Sequence, residues 1–397
     1  MKYLISTVFA VAFATTAAAE TIKIGVLTDM SGPLSDYSGP GSALAARMAV
    51  EDFAKENSEI TVEIVTADTQ NKADVAGSIG RRWFDQEEVD VIVDVPGSAI
   101  VLALSQIALE KNKVILSTSS SSSRITGSEC SPNTLNWTYS TWALANGTGR
   151  AVVEQGGDSW FFLTQDQEYG RDVQAATTRV IEASGGTVLG SVNHPLGVAD
   201  FSSYLLQAQA SGAKVIGLAS AAADTINAIK QANEFGIVVS GQKLATLVLF
   251  ITDVHALGLN AAQGLQSTTA FYWDMNDDTR AFAERFADAH NGAKPSQVQA
   301  AVYSSVLAYL RSAGQLGSAE DGKAVLAGIR EIGWFEDPLF GNSRLRADGT
   351  VEHAMYLAEV KSPERSQGPW DYYEILQTIP AEEAFQPESE TNCPLNN

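Results

Sequence analysis

The chain has 397 residues, too many for one ordinary domain and enough for two. Its 45% hydrophobic and 18% charged residues suit a chain with real cores rather than a disordered one. Forty-seven acidic against 26 basic residues give a formal charge of −21; phosphate backbones and anionic lipid repel such a surface, which excludes nucleic-acid binding.

Residues 1–19 read as a separate object. Met1-Lys2 is a short positive start, residues 3–16 are apolar apart from Ser6, Thr7, Thr15 and Thr16, and Ala17-Ala18-Ala19 is a small-residue site. This is the pattern of a secretory signal peptide cleaved before Glu20, and it predicts a periplasmic protein. No cysteine near the site offers a lipid anchor. No later stretch approaches the roughly 18 apolar residues of a membrane helix, so the mature chain is expected not to span a membrane.

From Thr21 short β-rich runs alternate with helical ones. Residues 22–27 (IKIGVL) predict a strand, and 39–55 a helix with Leu44, Met48 and Phe53 on one face. A strand at 60–66, a helix at 72–86, a strand at 90–95 (DVIVDV), a helix at 98–112 and a strand at 114–117 follow. After a polar loop and a helix near 141–155 the cycle restarts. Strands are predicted at 160–164 (WFFLT), 187–192 and 214–219 (KVIGLA), and helices at 172–183, 201–210 and 222–235. Helices at 279–290, 298–315 and 322–331 precede strand-like 354–360 and 372–378, and the end of the chain reads as a surface tail.

Strands alternating with helices imply parallel sheets covered on both faces, and two successive sets imply two doubly wound, Rossmann-like α/β lobes. Ligands of such sheets sit beyond the carboxyl ends of the strands, so the cleft between lobes is the expected site. The residues that matter are those just after strands. Ser98 opens a helix after Val95-Pro96-Gly97, where it reads both as an N-cap and as part of an anion site. The hydroxyl-rich run 117–123, with Ser119, Ser120 and Ser121, directly follows a strand and reads as a binding loop. Tyr37, Tyr169 and the cluster Phe271-Tyr272-Trp273 are candidates to cover the apolar part of a ligand.

The remaining chemistry is sparse. His194, His255, His290 and His353 are scattered, and no HExxH, GxSxG, CxxC or Walker sequence occurs, so no catalysis, cofactor or metal is expected. The acidic segment 274–278 lacks the glycine and final Glu of a calcium loop and reads as a helix N-terminal cap. Cys130 and Cys393, the two cysteines of the chain, are expected to form one disulfide in an oxidising compartment, tying the tail to lobe one.

Residues 24–33 (IGVLTDMSGP), 41–53 (GSALAARMAVEDF), Ser98, the 119–127 loop and 165–170 (QDQEYG) resemble the periplasmic solute-binding proteins of the branched-chain amino acid ABC transporter family. The stretches 130–139 (CSPNTLNWTY), 143–149 (ALANGTG), 271–274 (FYWD) and 368–373 (GPWDYY) look like a subgroup associated with aromatic acids. The resemblance implies the type I periplasmic binding fold, with three interlobe crossings. It places lobe one at 21–141 and 271–339, lobe two at 142–270 and 340–380, and a tail at 381–397. By that resemblance Ser98 and Ser121 hold a ligand carboxylate, Ser119 and Ser120 line the site with backbone, and Tyr37 and Tyr169 face it from the two lobes. Partners follow in the same way: a small carboxylate and an inner-membrane ABC permease, the binding protein itself being a monomer.

One departure matters. Relatives that bind amino acids present a Glu to the ligand ammonium, whereas the corresponding 244–249 here reads LATLVL. A buried ammonium without a counter-charge costs several kcal/mol, which favours an aromatic or other small carboxylate; Asp166, Asp224 or Asp253 are the possible substitutes. The alternatives are Leu, Ile or Val binding, a sensor uncoupled from transport, and an exported hydrolase lacking recognisable nucleophile motifs.

Overall fold

The computed structural model describes residues 21–396, and the expected signal peptide lies outside them. The chain begins with β1 (Thr21–Thr28), α1 (Gly39–Glu56), β2 (Thr61–Asp68), α2 (Ala73–Gln86), β3 (Val91–Asp94), α3 (Ser98–Lys111), β4 (Val114–Ser117) and β5 (Thr134–Asn136). These strands form one parallel sheet in the order β2-β1-β3-β4-β5. Alternation of side chains along a strand feeds two cores. Ile24, Val26, Val91, Val93 and Leu116 pack with Met48 and Phe53 of α1, while Leu27, Ile92 and Ile115 pack with Trp83 of α2 and Leu104 of α3. Gly25 is required where it stands, because a Cβ there would enter the Trp83 ring.

The second half repeats the plan. α4 (Thr141–Leu144), a π turn at Ala145–Gly149 and α5 (Arg150–Glu154) lead into β6 (Ser159–Gln165), α6 (Glu168–Ala183), β7 (Thr187–His194), α7 (Ser202–Ala210), β8 (Val215–Ala219), α8 (Ala222–Glu234) and β9 (Lys243–Thr246). Their strands form a parallel sheet in the order β7-β6-β8-β9. The single helix expected near 141–155 forms with a π turn inside it, where Gly147 lies against the Thr268 side chain with no room for a Cβ.

After α9 (Ile251–Leu257) and α10 (Leu259–Ala262) come β10 (Gln266–Thr269), α11 (Asp277–Ala289), α12 (Gln297–Leu316), α13 (Gly322–Ile332), β11 (Trp334–Asp337), β12 (Gly341–Leu345), β13 (Val351–Glu352), β14 (Met355–Val360), β15 (Tyr373–Ile379) and α14 (Ala381–Ala384). Two small antiparallel sheets, β10-β14-β15 and β11-β12-β13, flank the parallel ones. α12 lies along α1 and so belongs to the first lobe. The acidic segment before α11 is a cap: Asn276 accepts from Thr279 N at 2.9 Å, and Arg280 pairs with Asp274 and Asp277.

One boundary moves. Residues 340–352, expected in lobe two, bond to the first sheet, since Asn136 N donates to Gly349 O at 2.8 Å and Thr350 bridges Asn136. β14 then pairs with β10, whose Thr268 N donates to Thr148 Oγ1 at 2.9 Å on the lobe-two side.

Cys130 and Cys393 are disulfide-bonded across 263 residues of sequence. A second anchor of the tail is Arg346, 3% exposed, which pairs with Asp348 at 2.7 Å and Glu352 at 3.3 Å and donates to Gln386 O at 2.7 Å. Among the described residues no helix is long and apolar enough to cross a membrane.

Candidate ligand-binding site

The carboxyl ends of the two parallel sheets face each other across a cavity of about 360 Å³, within the range of small-molecule sites. Every strand of both sheets contributes through the loop that follows it. Tyr37 comes after β1, Asn71 after β2, Ser98 after β3, Ser119 to Ser121 after β4 and Tyr139 after β5. From the second lobe Tyr169 and Arg171 come after β6, Leu196 after β7, Ala221 after β8 and Val248 after β9.

The turn after β3 is built from unusual backbone. Asp94, Val95 and Gly97 have φ of 81°, 61° and 104°, conformations that cost energy for Asp and Val and cluster at ligand sites. Gly97 is the N-cap of α3 and Ser98 its first residue, so the expectation that Ser98 caps the helix is corrected. Its Oγ is used differently, accepting from the backbone N–H of Ser121 at 3.4 Å and of Ser122 at 3.3 Å. Ser119 Oγ donates to Asp94 O at 3.1 Å and Ser120 Oγ to Val95 O at 2.9 Å. Those two hydroxyls tie the serine loop to the strained turn. Ser121 Oγ is buried and has no partner. Behind the loop burial raises the Asp94 carboxyl above its ordinary range, and Thr118 Oγ1 donates to it at 3.2 Å.

Aromatic rings supply the apolar walls. Tyr37 of the first lobe stacks on Phe250 of the second, with centroids 4.0 Å apart and planes at 12°, and Tyr139 lies 6.4 Å from the same ring. Tyr169 OH is buried without a partner. Burial pushes all three phenols upward, so each remains a neutral donor. The lobes are also joined by Ser122 Oγ to Glu168 at 3.1 Å, and by the N–H and Oγ of Ser123 to Asp172, both at 2.7 Å. The cleft is closed.

The acidic groups near the cavity are engaged. Asp166 pairs with Arg171 at 2.6 Å at the rim, where both are about half exposed. Glu168 is held by Ser122 and Arg124. Asp224, off the cavity, accepts from Gln165 Nε2 at 2.9 Å and Gly197 N at 3.0 Å. Asp253 is also off the cavity and accepts from Phe250 N at 2.9 Å. From segment 244–249 it is apolar Val248 that lines the wall.

Tyr37, Ser98, Ser119, Ser120, Ser121 and Tyr169 thus come together at one cavity. Phe271 and Trp273 do not, which corrects their expected place. Phe271 packs edge-on to Phe282 and beside Phe340. Trp273 donates to Trp370 O at 2.8 Å, with Lys294 Nζ 4.7 Å from its ring centroid. They follow β10, an antiparallel strand at a crossing, rather than the carboxyl end of a parallel strand. Asn71, Tyr139, Arg171 and Ala221 escaped the sequence reading, and Val248 entered it only as part of segment 244–249. Their signal was the same position after a strand. Among the described residues no group of three His, Cys, Asp or Glu could hold a metal ion.

Fold and site together define a two-lobed protein that encloses a small solute. The chain belongs to the periplasmic binding protein family, whose profile matches residues 21–368. It is 46% identical to a periplasmic binding protein from Burkholderia mallei of known crystal structure, with a TM-score of 0.91 over 95% of this chain and 99% of that one. A branched chain amino acid ABC transporter periplasmic ligand-binding protein from Burkholderia xenovorans is 40% identical, with a TM-score of 0.84 over 95% of this chain and 100% of that one. A solute-binding protein of an ABC transporter from R. palustris, solved in complex with 4-hydroxybenzoate, shares the fold at 20% identity, with a TM-score of 0.82 over 91% of this chain and 98% of that one. The chain is a solute-binding protein of the ABC-transporter type, a class that binds small ligands for a permease and is not enzymatic.

Proposed function

We propose that this protein binds a small aromatic carboxylate in the periplasm and delivers it to an inner-membrane ABC permease. The observation that carries this reading is the pairing of an unpartnered Ser121 Oγ with apolar Val248 in one cavity. The first offers a donor to a carboxylate, together with the N–H groups at the start of α3. The second is an apolar side chain in the segment where an ammonium would need an acid. Each charge-assisted bond to the carboxylate is worth roughly 1.5–3 kcal/mol. Tyr37, Tyr139 and Tyr169 line the same cavity, and in this reading they enclose a flat ring. Cross-lobe bonds from Ser122 and Ser123 supply a closed state that a ligand would stabilise. The 4-hydroxybenzoate held by the R. palustris protein agrees with the reading.

The second reading is Leu, Ile or Val binding, favoured by the description of the Burkholderia xenovorans relative. A thermal-shift screen with benzoate, 4-hydroxybenzoate, isobutyrate, Leu, Ile and Val separates the two. At 100 times its dissociation constant a ligand stabilises by about 2.7 kcal/mol. The aromatic acids should shift the transition and the amino acids should not. A response confined to Leu, Ile or Val overturns the proposal.

A further inference from the structure

The cavity has a second polar pole that a simple benzoate leaves unused. Asn71 lines it, and its Nδ2 is buried with no hydrogen-bond partner. The turn that carries it is held by two hydrogen bonds. Asn71 N donates to Thr69 Oγ1 at 3.1 Å and Lys72 N to Thr69 O at 3.0 Å, and Gln70 and Asn71 have φ of 50° and 53°. This left-handed pair turns the amide toward Gly97, close enough that a Cβ on Gly97 would meet Asn71 Oδ1 at 3.2 Å. A positive φ at two successive non-glycine residues is backbone strain held in place beside a cavity, and a buried donor without an acceptor costs free energy until something supplies one.

Strand order says what that something is. Asn71 follows β2 and Ser121 follows β4, with β1 and β3 between them in the sheet. Three strand spacings separate β2 from β4 by about 14 Å. The two residues flank the Gly97–Ser98 turn from opposite sides, with the Asn71 amide against Gly97 and the Ser121 N–H on Ser98 Oγ. Resting on the aromatic-acid reading above, we infer that Asn71 is a specificity-determining residue, its Nδ2 donating to a ring hydroxyl so that the site selects oxygenated aromatic acids over benzoate.

Calorimetric titration of the protein and of Asn71→Gly with benzoate and with 2-, 3- and 4-hydroxybenzoate tests this. Glycine accepts the positive φ and removes only the amide. The wild type should bind at least one hydroxybenzoate roughly tenfold more tightly than benzoate, the scale of one buried hydrogen bond. Asn71→Gly should erase that preference, bringing the four acids within about twofold of one another, with circular dichroism and the thermal midpoint certifying that the variant is folded. A preference that survives in Asn71→Gly, an equal loss for all four acids, or no preference in the wild type each overturns the role of Asn71 while leaving aromatic-acid binding intact. If the wild type binds none of the four, the aromatic-acid reading itself falls.

Discussion

Replacing Ser121 by Ala should move stability and affinity in opposite directions. In the closed cleft Ser121 Oγ is buried and bonded to no other group of the protein. An orphaned buried polar group costs about 1–3 kcal/mol relative to a satisfied one, so its removal should leave the urea midpoint unchanged or higher. With a carboxylate bound, the same hydroxyl makes a charge-assisted bond worth roughly 1.5–3 kcal/mol, and its loss weakens binding roughly ten- to hundredfold. Ser98→Ala is the contrasting case. Its Oγ accepts from two backbone N–H groups, at 3.4 and 3.3 Å, and both would be stranded. That variant should lose about 1–3 kcal/mol of stability as well as affinity. Urea unfolding, paired with titration of the ligand found by the screen, reads both quantities. Wild-type affinity in Ser121→Ala, or a destabilisation as large as that of Ser98→Ala, would refute the reasoning.

Burial raises Asp253 from 3.8 to about 7, the nearby Asp36 charge adding to it and the Phe250 N–H opposing it. The folded protein therefore holds this proton more tightly than the unfolded chain. Its contribution to stability is fully present below about pH 4 and is lost as pH rises toward 7, a change of the order of 4 kcal/mol; Asp253→Asn should flatten that part of the stability–pH curve relative to wild type. Val248→Glu would set a carboxylate in the cavity wall, weakening aromatic-acid binding at least tenfold by like-charge repulsion in titration. Cys130→Ser/Cys393→Ser should lower stability by roughly 2–4 kcal/mol in urea, because the bridge closes a very long loop. Arg346→Ala strands the buried Asp348 and should cost about 3–5 kcal/mol in the same assay, with unchanged stability contradicting the role given to the pair.

The α/β alternation, the two lobes and much of the site were legible because hydrophobic periodicity marks buried strands, and parallel sheets place ligands beyond strand ends. Ser98, Ser121 and Tyr169, which follow parallel strands, line the cavity. Phe271 and Trp273 were misplaced because Gln266–Thr269 is polar and short, so nothing marked it as a strand of an antiparallel crossing. The contact of Gly349 and Thr350 with Asn136 of the first sheet was not legible for a similar reason, being a long-range register no local pattern carries. Asn71 was passed over because a left-handed pair such as Gln70-Asn71 is fixed by its surroundings rather than by composition. The split roles of the four neighbouring serines depend on which carbonyls of the β3 turn lie within reach, a matter of tertiary geometry.

A crystal structure of the protein grown with the aromatic acid that shifts its unfolding most is the most direct measurement. The carboxylate should lie between Ser98, Ser121 and the start of α3, its ring enclosed by Tyr37, Tyr139 and Tyr169. Finding that carboxylate at the Asn71 pole, or the acid bound anywhere outside the interlobe cavity, would contradict the account.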